Sequence, residues 1–148
     1  MNTLLLCLDF CDQTDLLLDE ARRIAPGVCQ RIVLLHVAQP NPEFIGYDAD
    51  PQALRDQMAA VYHTEQNTLR RHGETLQASL EGVEILPLLV QGSTGDKILS
   101  HAKRLGATLI LMGTHGHGKL YNLVVGSTCQ FVLQHTTTPL LLVPIRKE

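Results

Sequence analysis

The chain has 148 residues, 45% of them hydrophobic and 18% charged. That is enough apolar material for a single core, so one domain spanning 1–148 is expected and a disordered chain is excluded. The formal net charge is −3 and the pI about 6.1; a nucleic-acid binder shows a basic stripe or a pI above ~9, and neither is present.

Basic residues adjoin one another at most as pairs, and Arg22 and Arg23, Arg70 and Arg71, and Lys103 and Arg104 each fall on a stretch that reads as helix. They are taken as solvated helix faces. The N-terminus has no positive region before its apolar run, and Asp9 interrupts that run too early for a secretory signal. No segment approaches the ~20 apolar residues of a membrane helix. Cys7, Cys11, Cys29 and Cys129 form neither a CxxC pair nor a zinc-type spacing. A cytoplasmic protein with reduced thiols and no membrane or nucleic-acid partner is the expectation, with Cys7 in the core.

Thr3 to Leu8 is apolar at nearly every position, the pattern of a central parallel strand buried on both faces, and Asp9 ends it. A helix follows over Leu16 to Ala25, with Leu17, Ala21, Ile24 and Ala25 at helical spacing and Pro26-Gly27 closing it. Arg31 to Val37 is the second strand, and Gln39 to Asp50 is rich in turn residues. Asp50-Pro51 opens the next helix as cap and first residue. Leu54, Met58, Val61, Leu69 and Leu76 carry its apolar stripe toward Leu80, with Gly73 as a weak point or early end.

Val83 to Val90 is the third strand, and its Pro87 favours a sheet edge because proline cannot donate to a ladder. Gly92 to Gly95 reads as a turn. Ile98, Leu99, Ala102 and Leu105 make a short helix stopped by Gly106. Thr108 to Met112 is the fourth strand, Ser127 to His135 the last helix and Pro139 to Val143 the last strand. Strands alternating with helices require right-handed crossovers. The expected fold is α/β, a doubly wound five-stranded parallel sheet with helices on both faces, Rossmann-like.

The segment between the fourth strand and the last helix carries the chemistry. It begins Gly113-Thr114-His115-Gly116-His117-Gly118-Lys119 and ends Gly126-Ser127-Thr128. Glycines permit positive φ in tight turns and close approach of backbone N–H groups to an anion. Gly126-Ser127-Thr128 adds two hydroxyls and the donor end of a helix. The Walker pattern fails, since Gly118-Lys119 is followed by Leu120, and the GxGxxG fingerprint fails at Tyr121. An anion-binding loop of another kind is indicated.

Gly113, Gly116, Gly126 and Ser127 match the signature Gly, two residues, Gly, nine residues, Gly-Ser or Gly-Thr, by which the chain resembles the universal stress protein family over nearly its whole length. Leu4 to Asp9, Leu34-Leu35-His36-Val37, Gly106 to Gly116 and Thr138 to Pro144 are also similar to that family. The resemblance implies ATP as ligand, with or without Mg²⁺. Asp9 and Val37 would flank the adenosine, with Asp9 on the ribose or base. Met112 and Gly113 would line the nucleotide, and Gly116, Gly126, Ser127 and Thr128 would hold its phosphates. Leu8, Thr114, His115 and His117 complete the implied set. It further implies that the first and fourth strands are adjacent, bringing Asp9 and Gly113 together, and a homodimer through the Pro139 to Val143 edge.

Two positions depart from the pattern. Phe10-Cys11 replaces the usual Gly-Ser after the first strand, a bulkier turn expected to crowd one side of the pocket. His117 stands where many relatives have Arg, so a permanent cation is replaced by one that titrates near pH ~6.5. No dedicated general base or metal set is visible, so the chain is read as a regulatory binder, with slow ATP hydrolysis left open. The alternatives are a nucleotide-free dimeric scaffold, with Phe10-Cys11 as its support, and a metal or serine hydrolase built on His115, His117, Asp9 and Ser127. His36 is read as structural, and His101 and His135 as surface or helix-end residues.

Overall fold

The computed structural model describes residues 1–11, 13–38, 50–115 and 125–145. Among them strand and helix alternate as β1 (Thr3–Cys7), α1 (Thr14–Ile24), β2 (Arg31–Ala38), α2 (Pro51–Ser79), β3 (Glu84–Gln91), α3 (Thr94–Arg104), β4 (Leu109–Gly113), α4 (Ser127–His135) and β5 (Leu140–Val143). All four strand pairings are parallel and the order is β3-β2-β1-β4-β5. This is the expected five-stranded parallel α/β sheet with Rossmann-like winding. The turn-rich stretch 39–49 lies outside the described residues.

The two-residue period of the strands sorts the core into two layers. Leu4, Leu6, Leu8, Ile32, Leu34 and Leu111 pack with α1 and α2, while Leu5, Val33, Leu35, Val37, Ile110 and Met112 pack with α3 and α4. Leu4, Leu5 and Leu6 are fully buried, each stabilising the fold by roughly 1.5–3 kcal/mol. Pro87 sits in β3, an edge strand as its missing N–H requires. Asp50 caps α2 by accepting from Gln52 N–H at 3.2 Å, with Pro51 at the start of the helix.

Several local expectations are corrected by packing. Gly73 does not end α2; the helix continues to Ser79, and a Cβ at Gly73 would lie 2.9 Å from the Pro87 ring. The glycine lets a helix approach the sheet edge. The apolar stripe of α2 is core only at Leu69 and Leu76, whereas Val61 is exposed. Gly95 is not a turn residue but lies in the first turn of α3, buried where a Cβ would run into the Phe131 ring.

His101 lies in the last turn of α3, as a helix-end residue, but it is buried rather than on the surface, with Nδ1 2.8 Å from Lys97 O and Nε2 2.7 Å from Arg104 Nη2. A carbonyl only accepts and a guanidinium only donates, so Nδ1 carries the hydrogen and Nε2 accepts. Arg104 therefore serves the fold as well as the solvent. Of the other paired arginines, Arg23 and Arg70 behave as solvated faces, meeting Glu20 and Glu74 along their own helices, whereas Arg22 is half-buried, pairing with Asp19 and donating from Nε to Ser79 Oγ of α2 at 3.0 Å. Such surface pairs contribute little to stability.

Two outcomes follow from this packing. Gly95→Ala should destabilise by roughly 1–3 kcal/mol, the usual cost of overpacking. Phe131→Leu in the same chain should recover part of that loss, as read by urea unfolding of the four variants. The second outcome concerns His72, which burial holds below its ordinary 6.5 while the Asp15 charge pulls the other way. The unfolded chain then takes up this proton first. The associated stability is complete above about pH 6.5 and is lost as pH falls through the folded value. Unfolding at pH 7.5 and pH 5 should show that loss, and His72→Gln should reduce it.

Candidate functional site

β1 lies between β2 and β4, and the connections diverge at that point: the chain from β1 runs outward through β2 to β3, that from β4 outward to β5. In parallel sheets the crevice for a ligand opens at the carboxyl ends of strands where the winding reverses. The β1–β4 ladder reaches Leu6 opposite Leu111. Beyond that pair β1 ends at Cys7 and β4 at Gly113, so the turn carrying Asp9 and the loop opening with Thr114 leave adjacent strands.

Leu8 is buried and extends the ladder, its N–H donating to Leu35 O at 2.9 Å. Asp9 is partly buried at the start of the turn, and its Oδ1 accepts from Cys11 N–H at 3.3 Å. Val37, at the end of β2, and Met112, at the end of β4, are buried in the layer shared with α3 and α4. Thus Asp9 and Val37 leave neighbouring strands, and Met112 and Gly113 close the next one.

Thr114 is a knot. Its N–H donates to Val143 O at 3.0 Å, its hydroxyl accepts from Ile145 N–H at 3.0 Å, and the same hydroxyl lies 3.0 Å from His115 Nδ1. Its carbonyl accepts from Gly126 N–H at 2.7 Å. The exit of β4, the exit of β5 and the entry of α4 are thereby tied together. Gly126 is the N-cap of α4, Ser127 and Thr128 open the helix, and no side chain caps it. Its first-turn N–H groups have no intrahelical partners, by the geometry of any helix start.

The loop glycines act by closeness rather than by unusual dihedrals. Neither Gly113 nor Gly126 has a positive φ, and Gly126 sits at φ −69°. A Cβ at Gly113 would lie 2.9 Å from Ile145 Cγ1, and one at Gly126 would lie 3.2 Å from Thr114 O. The expectation that these glycines supply positive φ is therefore corrected for both. Gly116 and His117 lie outside the described residues.

Positive φ occurs instead at Phe10, at 57°, a conformation that costs a residue with a Cβ roughly 1–2 kcal/mol. Its ring stacks on His36 with centroids 3.9 Å apart and packs against the layer of α1 and α2. The expected crowding thus falls on the face away from α4. His36 is structural as expected, its Nδ1 2.8 Å from Leu8 O. Sequence reasoning missed two buried polar atoms of α2: Glu65 Oε2, 3.6 Å from His36 Nε2, and Tyr62 OH. Their signal was spacing, since Met58, Tyr62, Glu65 and Leu69 follow one helical stripe.

A concavity of about 190 Å³ lined by Ala38, Tyr62, Leu89, Val90 and Gln91 opens at the ends of β2 and β3. None of its described lining residues is charged. Among the described residues no three His, Cys, Asp or Glu side chains are placed to hold a metal ion, and no helix is long and apolar enough to cross a membrane.

The strand order and the alternation of strand and helix define a Rossmann-like α/β protein. The chain belongs to the universal stress protein family, whose model matches residues 1–144. Relatives include a universal stress protein in the QAH/OAS sulfhydrylase 3′ region of Thermus aquaticus, 28% identical over 142 residues, covering 96% of this chain and 98% of that one. Universal stress protein YxiE of Bacillus subtilis (strain 168) is 26% identical over 146 residues, with the same coverage. Among solved structures, the hypothetical protein MJ0577, subject of a structure-based assignment of biochemical function, superposes with a TM-score of 0.85 at 20% identity over 99% of this chain and 98% of that one. A universal stress protein in complex with cAMP has a TM-score of 0.66 at 19% identity, covering 97% and 96%. The Archaeoglobus fulgidus protein in complex with dAMP has 0.60 at 16%, covering 96% of each chain.

The thiols report on the Asp9 turn. Burial pushes Cys7 up to about 12; Cys11 is raised first by burial and then by its contact with the Asp9 carboxylate. Asp9→Asn removes that charge and should lower the Cys11 value. Alkylation of native protein at pH 8, followed by peptide mass spectrometry, should then show faster modification of Cys11 and an unchanged, slow Cys7.

Proposed function

We propose that this chain is an ATP-binding universal stress protein, a single domain that acts by binding nucleotide rather than as a dedicated enzyme. The observation that carries the reading is the 2.7 Å bond from Gly126 N–H to Thr114 O, which fixes the start of α4 at the exit of β4, beside the strand that ends in Asp9. An anion at the donor end of α4 gains backbone N–H groups, the hydroxyls of Ser127 and Thr128, and the helix dipole. A carboxylate at Asp9 suits the opposite end of such a ligand, where a ribose offers hydroxyl donors. The nucleotide complexes of two structurally similar proteins, with cAMP and with dAMP, support a nucleoside phosphate as the class of ligand.

In this reading Asp9 and Val37 flank the nucleoside, Leu8, Met112 and Gly113 form its floor, and Gly116, Gly126, Ser127 and Thr128 hold phosphates, with His115 and His117 beside them. Thr114 contributes by holding the frame, because its N–H, carbonyl and hydroxyl are engaged by Val143, Gly126, Ile145 and His115. Mg²⁺ would accompany the phosphates as counter-ion. β5 is an edge strand with half-buried Leu140, Leu141 and Leu142, and pairing two copies along it would remove an exposed edge. A cytoplasmic homodimer is the form proposed.

Isothermal titration separates the two halves of the ligand. Asp9→Ala should weaken adenosine and ATP by about tenfold, the worth of a hydrogen bond to a charged acceptor, and leave inorganic tripolyphosphate unchanged. Gly126→Ala, whose Cβ enters the 3.2 Å gap to Thr114 O, should weaken ATP and tripolyphosphate while sparing adenosine. Equal effects of both variants on all three ligands would sink the assignment.

A further inference from the structure

The turn that carries Asp9 is held from the sheet face opposite α4. The Leu8 carbonyl can only accept, so the His36 ring, 2.8 Å away, donates from Nδ1 and its tautomer is set. Its Nε2 then faces Glu65 Oε2 at 3.6 Å, an ion pair when the ring is protonated. That oxygen is buried and, among the described residues, without a hydrogen-bond partner. Phe10 lies over the imidazole in a near-parallel stack, 3.9 Å between centroids at 22°, with His72 at 5.9 Å on α2. The far side of the turn is pinned by Thr14, whose hydroxyl donates to Cys11 O at 2.8 Å.

Phe10 is the only non-glycine with positive φ among the described residues. A side chain is retained in the left-handed region only where its surroundings outweigh the strain, and here the surroundings are the His36 ring. Glycine at this position would leave the turn free to sample both signs of φ. Phe10 restricts the turn to one arrangement for as long as the stack holds.

We propose that Phe10 is a positioning residue for nucleoside recognition: stacked on His36, it locks the Asp9 turn and couples the direction of the Asp9 carboxylate to Glu65 and His72 of α2. This rests on the nucleotide reading above and adds to it the device that orients the recognising carboxylate. Phe10 touches no ligand in this account; it acts through Leu8 and Asp9.

The test compares Phe10→Tyr, which keeps the ring, with Phe10→Leu, which keeps apolar bulk without the stack, and Phe10→Gly, which removes both stack and strain. The probes are adenosine and inorganic tripolyphosphate by calorimetry, and the His36 ring by ¹⁵N NMR without ligand. Phe10→Tyr should match the parent. The other two should weaken adenosine by about tenfold, the affinity equivalent of one aromatic stack, with tripolyphosphate unchanged and the hydrogen-bonded Nδ1–H signature of His36 averaged out. Unchanged adenosine affinity in Phe10→Gly overturns the proposal, as does a parallel loss of both probes with a lowered Tm in both variants, the mark of a purely structural residue. If the parent binds neither probe, the nucleotide reading fails. The turn lock is then decided by NMR alone: an intact His36 signature in Phe10→Gly refutes it, and an averaged one supports it.

Discussion

The burial of β1 on both faces is the constraint from which the rest of the molecule follows. A strand whose Leu4, Leu5 and Leu6 are all shielded from water needs a neighbour on each edge and a helical layer on each side. β2 and β4 supply the edges and two helix pairs supply the layers. Parallel pairing sends all strand exits to one end of the sheet. Because the winding reverses beside β1, the connections after β1 and β4 run to opposite sides, the position at which a parallel sheet opens a crevice for a ligand, set by topology without any ligand-specific feature.

Around that crevice, hydrogen bonds rather than side-chain bulk hold the geometry. Thr114 ties two strand exits and one helix entry together with groups of one residue, and the two loop glycines let neighbouring backbone and Ile145 approach closely. The donor end of α4 is thus built into a rigid frame. The turn that carries Asp9 is held by a different kind of device, the Phe10 stack on His36 and the imidazole bond to the Leu8 carbonyl, both from the opposite layer. The two ends of the crevice therefore depend on different parts of the core, and each can be perturbed separately.

Glycine and histidine take meanings here that depend on their surroundings. Gly73 and Gly95 both sit inside helices at points where another element presses close, Pro87 in one case and Phe131 in the other. His36 and His101 are both buried, and each has a ring nitrogen satisfied by a backbone carbonyl. In neither residue type does identity alone tell a turn from a contact or a surface group from a core one.

What the sequence determined by itself was the order of elements and the class of fold. Apolar runs such as Leu4 to Leu6 and Ile32 to Leu35 can be satisfied only by burial on two sides, and Pro87 can be accommodated only where a ladder bond is dispensable. The spacing from Gly113 to Ser127 likewise marked the loop, because close backbone approach restricts residue type at separated positions. Tertiary structure alone decided that Gly95 belongs to a helix, that His101 is buried, that Phe10 turns away from α4, and that Tyr62 and Glu65 bring polar atoms under α2. These outcomes are set by contacts between residues distant in sequence, such as Gly95 with Phe131 and Phe10 with His36. Local periodicity carries no record of which distant surface a side chain will meet.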